Sequence, residues 1–302
     1  MSGGPDPQYV RARRALLDGL AALEPHLNAL VVVGAQAIYL HTGAADLAVA
    51  ELTTDADLAI GPEFLAEEPT IGGLLESHGF ELQDDPGKWK THDGVQVDLL
   101  VPDALAGPGR RGARLLGHGK RVARRAKGIE GVLVDSDVRT IRALDQTDER
   151  AFAVAIAGPA ALFVAKVHKI AERVDDPDRV VEKDALDVLR LLRAVPLDRL
   201  VGGMHRLLDS ELAGGVTFEA LDLADACCDS RMTQDPGWPL AQRADSKTPR
   251  PLPPPSRRST PTLPASSAKG VRDRPRRGDG RMWHGSYSAH VFACPVRLRS
   301  PE

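Results

Sequence analysis

Residues 53–60 read "TTDADLAI" and set two acids, Asp55 and Asp57, one residue apart at the entrance to a short apolar run. Side chains i and i+2 of a β-strand share a face, so the spacing predicts two carboxylates pointing together while Leu58 and Ile60 help anchor the strand. Repulsion is then built in, and a divalent cation relieves it. Hard carboxylate oxygens suit magnesium, with phosphate oxygens and water completing its shell. A third acid, Asp98, stands in "VQVDLLV", residues 95–101, an otherwise apolar strand where a lone carboxylate is costly. If that strand lies beside the one carrying Asp57, three carboxylates converge, the arrangement that holds two metal ions about 4 Å apart.

The flanking sequence supplies a frame for these acids. Upstream, "NALVVVGAQAIYLHTG", residues 28–43, has a β-branched run, a glycine at Gly34 and a second apolar run at helical period, which predicts strand, tight turn and helix. Before it, Val10, Leu16, Leu17, Leu20 and Leu23 recur near helical spacing, with Arg11, Arg13 and Arg14 mostly on the other face. Downstream, a helix ends at Gly79. "FELQ" and "KWKTHDGVQVDLLVP" then form a hairpin turning at Asp93-Gly94. "GVLVDSDVRTI" and "FAVAIAGP" supply further strands, and helices are predicted over 159–174, 181–193 and much of 197–228. The expected fold class is α+β, a small mixed or mostly antiparallel sheet with flanking helices followed by a helical half. The expected units are a core over 1–157, helices over 158–230 and a tail over 231–302.

Composition fits this division. The chain has 302 residues, 42% apolar and only 4% aromatic, so Ala, Leu and Val carry the packing. Its three cysteines, Cys227, Cys228 and Cys294, have neither a disulfide framework's even count nor metal-ligand spacing. The start lacks a signal peptide's apolar core, and no apolar run reaches the roughly 18 residues of a membrane span. A cytosolic location without membrane association is expected. The net charge of −3 hides an asymmetry: residues 231–302 carry 14 Lys and Arg against 5 Asp and Glu, leaving 25 against 37 for the rest. That tail is rich in Pro, Ser and Arg without apolar period, so disorder is expected and no function is assigned to it.

Two further stretches bear charge. Residues 109–128, "GRRGARLLGHGKRVARRAKG", contain eight Lys or Arg and no acid. Such a field could steer a nucleotide or hold an RNA backbone, or it could be a solvated loop and helix balancing nearby acids. No aromatic interleaves it, so base stacking is not indicated. "GPGRRG", residues 107–112, formally matches Gly-x-Gly-x-x-Gly, but a Pro in the turn and the lack of a βαβ unit exclude a dinucleotide loop. Farther on, Lys166, Lys169 and Arg173 recur at three- and four-residue spacing and predict one cationic helix face, suited to a triphosphate or merely solvated. Lys183 and Asp187 could be only a surface pair. His168 reads as a packing or surface residue.

"VVVGAQAIYL", "TTDADLAI" and "VQVDLLV" together resemble the strand motifs of the DNA polymerase β-like nucleotidyltransferase superfamily. "LFVAKVHKIAER" and "EKDALDVLRLLR" are similar to the helical half of AbiEii-type abortive-infection toxin nucleotidyltransferases. The resemblance covers about residues 25–195. It implies that Asp55 and Asp57 bind two magnesium ions with Asp98 completing the site, that Lys166 lies near the triphosphate, and that Asp184 is the functional aspartate of a Lys-Asp motif. Gly34 would let backbone amides approach phosphate, with Ala35 and Thr53 beside the nucleotide. Ala35 replaces a usual serine or glycine, and Glu51 replaces a frequent basic residue. The implied activity is transfer of a nucleoside monophosphate from an NTP to a tRNA 3′ end or a protein hydroxyl, with an antitoxin protein as partner. Two alternatives stay open: a nucleotide-binding regulatory protein on the same fold, and an aminoglycoside nucleotidyltransferase.

Overall fold

A computed structural model describes residues 7–43, 55–173 and 182–234. Thr53, Glu51 and the basic tail beyond residue 234 therefore lie outside the described residues; residues 231–234, expected in the disordered tail, are the last of a helix instead. Helix α1, Pro7–Ala22, leads into β1, Leu30–Val33, whose four residues are all buried. Gly34 then turns the chain straight into α2, Gly34–Thr42, with a φ of 66° that only glycine adopts without strain. The remaining strands are β2 (Ala56–Ile60), β3 (Phe80–Leu82), β4 (Lys88–Thr91), β5 (Gln96–Pro102), β6 (Arg124–Ala126), β7 (Ser136–Arg142) and β8 (Ala151–Ala157). Helix α3, Ile71–Ser77, precedes β3, and α4 (Pro159–Arg173), α5 (Glu182–Ala194), α6 (Leu197–Leu208) and α7 (Gly214–Gln234) close the chain. Among the described residues, no helix is long and apolar enough to cross a membrane.

The fold is a mixed α and β structure on one mixed sheet, in the order β3-β4-β5-β2-β1-β8-β7. Strands β2 and β5 are parallel, as are β1 and β8, while β1–β2, β4–β5, β3–β4 and β7–β8 are antiparallel. One edge of β5 is shared: its first half pairs with β4 and its second half with β6. Gly87 permits this, because a Cβ there would lie 2.5 Å from the Arg124 amide nitrogen, in a residue whose φ is 78°. The predicted hairpin turn holds, with Gly94 at a φ of 90°.

Burial decides which way the sheet faces. A Cβ on Gly19 of α1 would lie 2.9 Å from Val97, so Val97 faces that helix. Alternation turns Asp98 to the opposite face. One hydrophobic core runs from Leu16 and Leu20 of α1 through Val32, Leu58 and Leu99 to Leu162 of α4 and Leu207 of α6.

Several expectations are corrected. Arg13 is buried, donating to the Arg142 carbonyl at 2.8 Å and stacking near Tyr9. The strand expected from residue 131 starts only at Ser136, because residues 130–133 form a 3-10 turn. There the buried Glu130 carboxylate accepts from the Gly128 and Ala104 amides. The basic stretch contains no helix; it is loop and the short strand β6.

Candidate active site

The register of β2 against β5 pairs Asp57 with Asp98 on neighbouring parallel strands. Residues opposite one another in a parallel pair project to the same face, so the two carboxylates stand side by side. Asp55 occupies the position just before β2 rather than a place within it, half-buried, and it borders the same cleft. The sequence-predicted acids thus gather on one side of the sheet, with Asp57 and Asp98 the close pair.

Asp98 is the more confined of the two. Burial, the neighbouring Asp57 and, more weakly, Asp55 push its pKa up to about 6, against the opposing pull of Arg124 and Gln96. Its Oδ1 accepts from the Gln96 amide at 3.0 Å, and Arg124 stands 3.9 Å from its Oδ2. That guanidinium is at ion-pair rather than hydrogen-bond distance, and the Arg124 Nε is itself buried without a hydrogen bond among the described residues.

Gly34 and Ala35, at the start of α2, border the same space. A Cβ added at Gly34 would lie 2.8 Å from the Asp57 carboxyl carbon, so the missing side chain is what lets the Asp57 carboxylate pack against the start of α2. The cleft in front has a volume of about 730 Å³. Ten Lys and Arg side chains line it against six Asp and Glu. Five of the ten, Arg110, Arg111, Arg124, Arg125 and Lys127, come from the basic stretch, which therefore forms a wall of the cleft. Trp89 ties this wall to the sheet by donating from Nε1 to the Val122 carbonyl at 2.9 Å. Arg125 folds back onto Asp103 and the Gly109 carbonyl.

Helices α4 and α5 form the other wall. Lys166 is buried and donates to Asp184 at 2.6 Å, with Asp187 2.8 Å from the same ammonium. Burial works against its charge, but Asp187 and Asp184 outweigh that and hold its pKa above the usual lysine value. Arg173 reaches Asp184 at 2.8 Å. Asp187 also takes Arg190 at 3.2 Å, and Arg190 donates to the Tyr39 hydroxyl at 3.3 Å. Asp187 is fully buried, so the surface pair with Lys183 is corrected: Asp187 is a structural hub. Asp184 has its pKa held down by Lys166 and Lys169 despite burial that opposes this. His168 is buried, as a packing residue, with its Nε2 against the Val216 carbonyl at 2.8 Å.

The sequence placed Lys169 on the cationic face of α4 without singling it out from Lys166. Lys169 lines the cleft half-exposed, 3.6 Å from Asp184. Burial lowers its pKa, and Asp57 is the strongest influence pulling the other way. The signal was present in the spacing of Lys166, Lys169 and Arg173. What the spacing could not supply was α5, whose two aspartates decide which cation is tied down.

The donor set can be tested for a divalent cation. Among the described residues no group of three or more His, Cys, Asp or Glu side chains is placed to hold a metal by itself. Asp57 and Asp98 nevertheless offer hard oxygens from a side-by-side carboxylate pair, with Arg124 no nearer than 3.9 Å to Asp98. Magnesium is commonly held by one or two carboxylates together with substrate phosphates, so the pair fits that ion when phosphate oxygens complete the shell.

No family model matches the chain, and no curated protein matches it in sequence. Two solved structures are similar to it. One is the solution structure of the antibiotic-resistance factor ANT(2'')-Ia, at 13% identity and a TM-score of 0.38, covering 74% of this chain and 97% of that one. The other is the crystal structure of an antigenic nucleotidyltransferase-like protein from Paracoccidioides brasiliensis, at 14% identity and a TM-score of 0.32, covering 70% and 93%. Both likenesses are distant, and the case for a function rests on the residues of the cleft.

Proposed function

We propose that the cleft is the site of a nucleotidyl transfer, in which a nucleoside monophosphate passes from an NTP to a hydroxyl acceptor. The observation that carries this reading is the in-register pair Asp57 and Asp98 facing a cleft walled by cations. Two adjacent carboxylates, which repel one another and of which Asp98 has Arg124 only at 3.9 Å, suit a cation, and the surrounding Lys and Arg suit an anion. A metal-bound triphosphate is both at once.

Asp57 and Asp98, with Asp55 beside them, would hold magnesium, as one ion or as the expected two. The bound metal would stabilise charge on the transferring phosphate and lower the acceptor hydroxyl's pKa. The chain's own groups do the rest. Gly34, lacking a Cβ, lets the Asp57 carboxylate lie against the start of α2, so that a phosphate held at Asp57 would meet the first amides of that helix. Asp98 Oδ2, the oxygen not engaged by Gln96, takes up the hydroxyl proton. The acceptor oxygen bonds to the α-phosphorus, the bridging bond to the β-phosphate breaks, and pyrophosphate leaves with that electron pair. Lys166, Asp184 and Asp187 hold α4 against α5 behind this site.

The basic wall favours a polyanionic acceptor, an RNA hydroxyl end, over an aminoglycoside, whose own positive charges would face Arg110, Arg111 and Lys127. A toxin role with an antitoxin partner is the further extension, tested by inducing the chain alone in a host and following growth. The direct experiment incubates the protein with magnesium, total RNA and each NTP labelled at the α or the γ phosphate. Label from the α position on RNA, none from the γ position, and loss of both transfer and pyrophosphate release in Asp57→Asn is the expected result. Nucleotide binding without pyrophosphate release would favour a regulatory protein. Equal transfer by Asp57→Asn would remove the site altogether.

A further inference from the structure

We infer that Lys169, and not Lys166, is the cation on α4 that contacts the polyphosphate, with Asp184 as its positioning residue. This rests on the nucleotidyl-transfer reading above and names the residue that grips its substrate.

The two lysines stand on the same face of one helix but in opposite situations. The Lys166 side chain is 6% exposed, and its ammonium lies within 2.8 Å of both Asp184 and Asp187. One N–H is given to Asp184, and the ammonium is ion-paired to Asp187, both carboxylates being buried themselves. Pulling it toward a ligand would strip Asp187 and Asp184 of their shared counter-ion, a loss that a buried pair tolerates poorly. Lys166 is a brace between helices.

Both lysines border the cleft, but Lys169 is 38% exposed where Lys166 is 6%. The Lys169 ammonium lies 3.6 Å from Asp184, at ion-pair rather than hydrogen-bond distance. Arg173 and Lys166 already occupy Asp184 at 2.8 and 2.6 Å, so that carboxylate has little capacity left for a third close partner. Lys169 also lies within the field of Asp57, which borders the same cleft. A phosphate brought to Asp57 by a metal ion would meet the Lys169 ammonium next. Asp184 holds this lysine on the cleft side without neutralising it.

The test separates binding of the phosphates from recognition of any base. Magnesium tripolyphosphate, which has no base or sugar, is titrated calorimetrically into the full chain and into Lys169→Gln and Lys169→Arg, with thermal unfolding followed on each. The expected result is about a 10- to 100-fold weaker affinity for Lys169→Gln, recovery to within a few-fold for Lys169→Arg, and unfolding temperatures that match the wild type. Lys169→Gln binding within twofold of a wild type that binds would overturn the inference alone. A wild type that binds neither this probe nor any NTP would overturn the nucleotidyl-transfer reading and this inference with it.

Discussion

At the scale of single residues, the account turns on Asp98 and Gly34. Asp98 has a pKa raised from 3.8 to about 6, so the folded chain holds its proton more tightly than the unfolded chain does. Below about pH 3 the carboxyl is protonated in both states; between about pH 4 and 6 the unfolded chain is ionised while the folded chain holds the proton, and folding loses about 3 kcal/mol by the time pH passes 6. In EDTA, Asp98→Asn should therefore match the wild-type melting temperature near pH 3 and exceed it by several degrees near pH 7, as read by circular dichroism. A constant difference across that range would contradict the assigned environment. Gly34→Ala is expected to destabilise the fold by about 1–2 kcal/mol in urea titrations, since it imposes a φ of 66° on alanine and drives a Cβ against Asp57. It should also abolish nucleotidyl transfer, whereas a glycine that only shaped the turn would cost stability and spare the activity. Asp98 was legible in the sequence because an acid inside an apolar strand needs a reason. Lys169 was not, because three cations at helical spacing look alike until a second helix is packed on them.

At the scale of elements, α4 and α5 are joined by charge as much as by apolar contact. Lys166, Asp184, Asp187, Arg173 and Arg190 form one continuous ionic network that ends on Tyr39 of α2. Removing one partner from a buried pair leaves the other uncompensated, at a cost of about 3–5 kcal/mol. Asp187→Ala is expected to lose that much in equilibrium urea unfolding. A loss below about 1 kcal/mol would mean that the network is not buried as described. The two helices themselves were readable from periodicity, and their ends fall within a residue or two of expectation. The role of Asp187 was not readable, because i,i+4 spacing to Lys183 suggests a surface pair and only the packing of α5 on α4 turns Asp187 inward. The strand expected from residue 131 failed for a similar reason. Glu130 satisfies two loop amides, and that local bonding wins over the β propensity of Val132 and Val134.

At the scale of the whole molecule, the sheet order brings distant parts of the chain to one cleft: acids from β2 and β5, a basic wall from residues 110–127, and cations from α4. Each part was legible alone. Their meeting was not, because the parallel register of β2 on β5 joins residues some forty positions apart and no local pattern encodes it. If the basic wall tracks a phosphate backbone, Arg110→Ser with Arg111→Ser should weaken poly(A) binding and reduce its log–log salt slope by about 2, leaving the melting temperature unchanged because both side chains are exposed. The metal site is tested by manganese binding followed by electron paramagnetic resonance, with and without an NTP analogue whose α,β-bridge is methylene. Manganese should bind tightly only when the analogue is present, and binding should be lost in both Asp57→Asn and Asp98→Asn. Manganese binding that ignores the analogue, or that survives both substitutions, would contradict that site.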